Sequence, residues 1–130
     1  MLAGFEDITQ DLNEYEEQKL LPLFVSSLAW RRGKANAITN KQIVQILKDR
    51  SIIVTDVQVC KIISHIRTNC LVEGLLASSS GYWVSEDPRE IEKYQDSLKG
   101  RIFRMKNIDA KMERYKQQLI HKNVKQESIF

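Results

Sequence analysis

Residues 71–85 read LVEGLLASSSGYWVS, and two short strands are legible in them. Residues 75–77 and 82–84 carry the branched and aromatic side chains that suit a pleated surface. Ser78-Ser79-Ser80-Gly81 between them has the chemistry of a tight turn, so a compact β-hairpin is expected.

Working back from the hairpin, Thr55 can cap a helix that runs to about Asn69, with Val59, Ile62, Ile63 and Ile66 as its apolar stripe. Before it, Thr39 or Asn40 can cap a helix over residues 41–49 whose inward face is Ile43, Ile46 and Leu47, with residues 50–54 as a short connection. Ala37 and Ile38 form a brief extended stretch ahead of that pair. Two short helices with an abrupt turn, followed by a hairpin, is the order of a winged helix-turn-helix. That unit is expected over residues 37–86.

Residues 1–36 read as an N-terminal helical segment. Asp7 or Thr9 can cap it, acids crowd its first turns, and Tyr15, Leu20, Phe24, Val25, Leu28 and Trp30 extend it. Pro22 either kinks this helix or begins a second one, and Gly33 offers a stop.

Working forward, Asp87 and Pro88 mark the start of a long C-terminal helix over residues 87–122. Ile91, Tyr94, Leu98, Met105, Ile108, Met112, Tyr115 and Leu119 recur at spacings of three and four, with Gly100 and Arg101 weakening the seam. Such a stripe fits a coiled coil joining two copies of the chain, or a helix folded back on the first one. Residues 123–130 read as a loose tail. The fold class expected is mainly α, with one small hairpin.

The chain has 130 residues, 42% of them hydrophobic and 28% charged, enough for a core without metal or disulfides. The most apolar run, residues 20–30, is short and broken by Pro22, Ser26 and Ser27, so no membrane span is expected. The acidic start lacks a basic-then-apolar leader, which predicts no signal peptide and a cytoplasmic protein. Cys60 and Cys70 are too few for a disulfide framework and lack zinc spacing; both read as reduced structural thiols.

The net charge of +3 conceals segregation. Residues 1–20 carry six acids against Lys19, a net of −5, whereas residues 31–69 carry eight bases against Asp49 and Asp56, a net of +6. Residues 70–98 return to −4, and residues 99–125 rise to +7. Basic blocks between acidic ones point to anion-binding surfaces.

The helix capped by Thr55 supplies the candidate reading face. Gln58, Lys61, His65 and Thr68 share one side at helical spacing, flanked by Asp56 and Ser64. These are side-chain types that reach base edges in a major groove: Lys61 for guanine, Gln58 for adenine, His65 for bases or backbone. The alternative is that they form only the wet side of an amphipathic helix. Arg31, Arg32 and Lys34 are candidates for holding phosphates. Asn40, Lys41 and the helix amide ends are candidates for positioning the backbone, with Ser79 at the wing tip. The wing carries no lysine or arginine at its tip, which weakens minor-groove insertion. Alternatively the hairpin closes the core with Trp83 or Tyr82 packed inward, and for Trp83 a core position is expected over ligand stacking. The basic residues of the last helix are too dispersed for one stripe and read mostly as solvated exterior.

No phosphate loop, dinucleotide turn or paired His-Glu motif is present. His65 and His121 lie far apart, and His65 and Cys60 point in different directions on a helix. The expectation is a non-enzymatic protein without cofactor or metal.

The stretches AITNKQIVQIL from residue 37, TDVQVCKIISHIRTN from residue 55, GYWVSED from residue 81 and EIEKYQDSLKGRI from residue 90 carry a resemblance. From residue 37 to about residue 104 the chain resembles small winged-helix proteins encoded by phages and prophages. GYW-x-x-x-(D/E) leading into a helix is the most specific piece. The resemblance implies DNA binding with Gln58, Lys61 and His65 in the reader role; the uncharged wing tip departs from the more basic wings of many such binders. The function expected is double-stranded DNA binding by a homodimer that acts as a phage- or prophage-type transcriptional regulator. The alternatives are a DNA-recognition subunit of a phage packaging or replication complex, and a protein-interaction module without DNA binding.

Overall fold

Asn13 is the first cap. Its side-chain oxygen accepts from the Glu16 N–H at 2.8 Å, and the Glu16 carboxylate accepts in return from the Asn13 N–H at 2.9 Å, so each satisfies an orphan donor of the helix start. These contacts come from a computed structural model, which describes residues 11–127, with side-chain surroundings as far as Lys122. The caps expected at Asp7 or Thr9 lie outside the described residues.

Pro22 sits in the first turn of a new α-helical segment, the second of the two expected readings. A π-helical turn, Glu16–Leu20, runs directly into helix α1, Leu21–Leu28. Proline has no N–H to give the ladder, and its ring crowds the carbonyl four residues back. Widening the turn just before it accommodates both. Leu20, Phe24 and Leu28 form the buried edge.

Helix α2, Asn40–Asp49, and helix α3, Asp56–Thr68, each begin with a reciprocal capping box, Thr39 with Gln42 and Thr55 with Gln58. Each ends with a residue at positive φ, Ser51 (63°) and Cys70 (51°). The next N–H reaches back over the last turn, Ile52 to the Leu47 carbonyl at 2.9 Å and Leu71 to that of Ile66 at 3.0 Å. Serine holds this left-handed conformation at a penalty that glycine avoids. Ser51→Gly is expected to raise unfolding free energy by about 1 kcal/mol. Urea denaturation checks it; an unchanged or lower midpoint would mean that Ser51 contributes something besides its backbone.

Strands β1, Leu75–Ser78, and β2, Gly81–Val84, pair antiparallel from Leu75↔Val84 to Ser78↔Gly81, each one residue longer than expected, around a Ser79-Ser80 turn. The other edge of β2 is also engaged. Ile38 and Tyr82 exchange both backbone bonds, at 3.0 and 2.8 Å. Gly33 N–H donates to the Val84 carbonyl, and Val84 N–H to that of Arg31, at 2.9 and 2.7 Å. The segment joining α1 to α2 therefore lies along the hairpin as an extra edge, satisfying backbone groups that β2 would otherwise expose.

The core is shared by Leu20, Phe24 and Leu28, by Ile43, by Val59, Ile62, Ile63 and Ile66, and by Leu75 and Val84. Ile46, expected to face inward, is substantially exposed; Val44 and Leu47 accompany Ile43 against the core instead. Trp83 is buried, and its indole N–H donates to the Glu90 carboxylate at 3.2 Å. Both cysteines are free thiols, as expected, but only Cys60 is partly buried; Cys70 is exposed and is no buried structural thiol.

The chain divides into two units, residues 1–91 and 92–130. The second consists, among its described residues, of the C-terminal part of helix α4, Pro88–Glu127. Five residues expected in the loose tail, 123–127, are helical. Ile102, Met105, Ile108, Met112, Tyr115 and Leu119 along this helix are exposed. The architecture is thus mainly helical with one two-stranded hairpin and a long C-terminal helix.

Candidate nucleic-acid interface

Lys61 does not face an open groove. Its ammonium lies 2.7 Å from the Glu16 carboxylate, with only 12% of the lysine side chain and 1% of the glutamate side chain exposed. The Gln58 amide donates to the other Glu16 oxygen at 3.4 Å, while the Gln58 oxygen caps the Thr55 N–H. Two of the expected base readers are therefore committed to the N-terminal segment. Burial pushes the Glu16 carboxyl up; the Lys61 ammonium, the Asn13 N–H and Gln58 outweigh it and hold the group below the usual carboxylate range.

Glu16 is the residue that sequence reading missed. The signal was present: Leu12, Glu16, Leu20, Phe24 and Leu28 fall every four residues, which sets the acid on the apolar stripe of its own helix. A carboxylate so placed needs a buried cation, and Lys61 supplies it.

His65 is half-buried, with Asn69 donating to its backbone carbonyl at 2.9 Å. Thr68 is exposed at the end of α3, and Ser79 is exposed in the hairpin turn. The side of α3 turned away from Glu16 begins one residue earlier at each turn, about 100° around the helix. It carries Cys60, Ser64 and Arg67, of which Arg67 is exposed.

Three elements meet on that side. The Tyr82 hydroxyl of β2 donates to the Asn40 side-chain oxygen at 2.6 Å, and the Asn40 amide donates to the Cys60 sulfur at 3.2 Å. Asn40 is thus a tie between α2, α3 and the hairpin. Burial pushes the Tyr82 phenol up, Cys60 adds to the rise, and the Asn40 bond and the Arg67 charge oppose it. Lys41, next to Asn40 in the first turn of α2, is exposed.

The remaining expected phosphate contacts separate. Arg32 forms an exposed ion pair with Glu86 at 2.9 Å, and Lys34 sits 6.0 Å above the Trp83 ring. Arg31 lies at the rim of a cleft between α1 and α2. Asn40, Cys60 and Tyr82 thus meet at one point, with Ser64 and Arg67 following Cys60 along the same side of α3, while Gln58 and Lys61 are engaged by Glu16.

Among the described residues no cluster of His, Cys, Asp and Glu could hold a metal ion, and no helix is long and apolar enough to cross a membrane. No protein-family model, curated protein or solved structure matches the chain.

Proposed function

We propose that this protein binds double-stranded DNA through a winged-helix arrangement, as a regulator of the phage and prophage kind its sequence resembles. The observation that carries the reading is the convergence at Asn40. The N-terminus of α2, the Cys60–Arg67 side of α3 and the hairpin strand meet there. A duplex laid on this face would receive the α2 amide ends and Lys41 at a phosphate, with Ser64, Arg67 and Thr68 toward base edges. The net charge of +6 over residues 31–69 supplies the salt-sensitive attraction. The reader role moves from Gln58 and Lys61 to the next side of the same helix.

The test is fluorescence anisotropy with random-sequence duplex over a salt series. Wild type is expected to bind with a steep salt dependence. Lys41→Ala/Arg67→Ala should weaken binding at least tenfold and remove about two units of the log–log salt slope. Lys61→Gln, if it remains folded, should change the slope by less than one unit. Absence of binding at low salt, or a double variant that binds like wild type, would sink the proposal.

The same reading includes a homodimer through α4. Eight large exposed apolar side chains from Ile102 to Ile120 would be covered by a second copy. Sedimentation equilibrium is expected to give a dimer that Met105→Glu/Met112→Glu converts to a monomer. A monomeric wild type at high micromolar concentration would remove the dimer from the proposal.

A protein-interaction module is the second reading. Trp30, 80% exposed, and Ile53, 71% exposed, favour it, since apolar side chains this open are common anchors at protein interfaces. It gains the lead if duplex binding fails.

A further inference from the structure

We propose that the cleft between α1 and α2 binds a small amphiphilic anion, a fragment-sized apolar body with one carboxylate head. The cleft has a volume of about 270 Å³ and opens to solvent, just below the size of common ligand pockets, about 300–1,000 Å³. Phe24, Ile43 and Leu47 line it, and Ile46, the α2 side chain that leaves the core, forms part of its lip. An apolar lining of this kind takes a hydrocarbon chain or an aromatic ring by removing both surfaces from water.

The charge at the rim selects among such bodies. Arg31 and Arg50 both border the cleft, from the segment after α1 and from the end of α2. Among the described residues neither guanidinium is paired with a carboxylate, whereas Arg32, Lys61 and Lys116 each are. Two uncompensated guanidiniums beside an apolar floor repel an amine and gain little from a neutral hydrophobe. A carboxylate can accept their forked N–H groups while its tail fills the floor. The site goes beyond the DNA-binding reading and does not depend on it, so a failure to bind duplex leaves it standing.

The experiment is a titration of the full-length protein with octanoate, and separately with 1-octanol, followed by amide shifts in two-dimensional NMR. Octanoate is expected to move resonances of α1 and α2 with a dissociation constant on the order of 1 mM or tighter. Octanol, with the same tail and no charge, should bind at least tenfold more weakly. Arg31→Gln/Arg50→Gln changes two surface side chains and should keep the folded spectrum while lowering octanoate affinity to that of octanol. Equal binding of the two probes, an unaffected double variant, or shifts centred elsewhere would each overturn the assignment. So would no binding at all.

Discussion

Glu16→Ala is expected to lower unfolding free energy by about 3 kcal/mol, the cost of leaving one partner of a buried ion pair behind. Lys61, its side chain 12% exposed in the pair, would lose its counter-charge, and Gln58 and the Asn13 N–H would lose their acceptor. Replacing the pair together removes the orphan. Glu16→Leu/Lys61→Met should recover more than half of the loss, because matched apolar groups need no compensation. Denaturant midpoints measure both, and a loss below 1 kcal/mol for Glu16→Ala would show that the ammonium reaches water in the folded protein. The same contact predicts acid sensitivity. The Glu16 carboxyl is held below its usual range in the fold, so its stabilising contribution is complete above the unfolded carboxylate value of about 4.3. That contribution is lost as pH falls through the depressed folded value. Glu16→Gln should flatten the acid limb of the stability curve relative to wild type; parallel limbs would contradict the assignment.

Gly81→Ala should be comparably damaging, by about 3–5 kcal/mol. Gly81 has φ of 109°, where a side chain is strained by about 1–3 kcal/mol. Its missing Cβ would fall 2.3 Å from the Ile38 carbonyl oxygen and 2.9 Å from the Thr39 N. These are backbone atoms, so relief requires parting Ile38 from Tyr82 and loosening two hydrogen bonds, each worth about 1 kcal/mol. Gly33→Ala separates the causes. Gly33 also has positive φ, at 81°, but nothing lies within 4 Å of its would-be Cβ. It should cost about 1–2 kcal/mol, from the backbone alone. Thermal unfolding of the two variants tests the difference, and equal losses would mean that the Ile38 approach contributes nothing.

The residues that were readable owe it to short range. Thr39 with Gln42 and Thr55 with Gln58 are capping boxes closed within three residues, and the Ser79-Ser80 turn is closed within four. Those contacts form from local chemistry whatever surrounds them, so the helices, the hairpin and the start of α4 at Pro88 were legible in order. Ile46 was misplaced because a helix pattern with Ile43, Val44, Ile46 and Leu47 offers more apolar side chains than one face can bury. The core took Ile43, Val44 and Leu47. The candidate site was legible only in part. Its helix was legible, but the partners of its polar residues were not, since nothing local ties Gln58 and Lys61 to Glu16 or Cys60 to Asn40.

The sequence by itself therefore determined the helices, the hairpin and the long apolar stripe of this chain, because caps, turns and periodicity act over a few neighbouring residues. Tertiary structure alone decided what each polar side of α3 meets. Glu16 reaches Gln58, and Asn40 reaches Tyr82, each across 42 residues. Burial of one carboxylate on the first helix selects a cation on the third, and no local rule carries information over that distance.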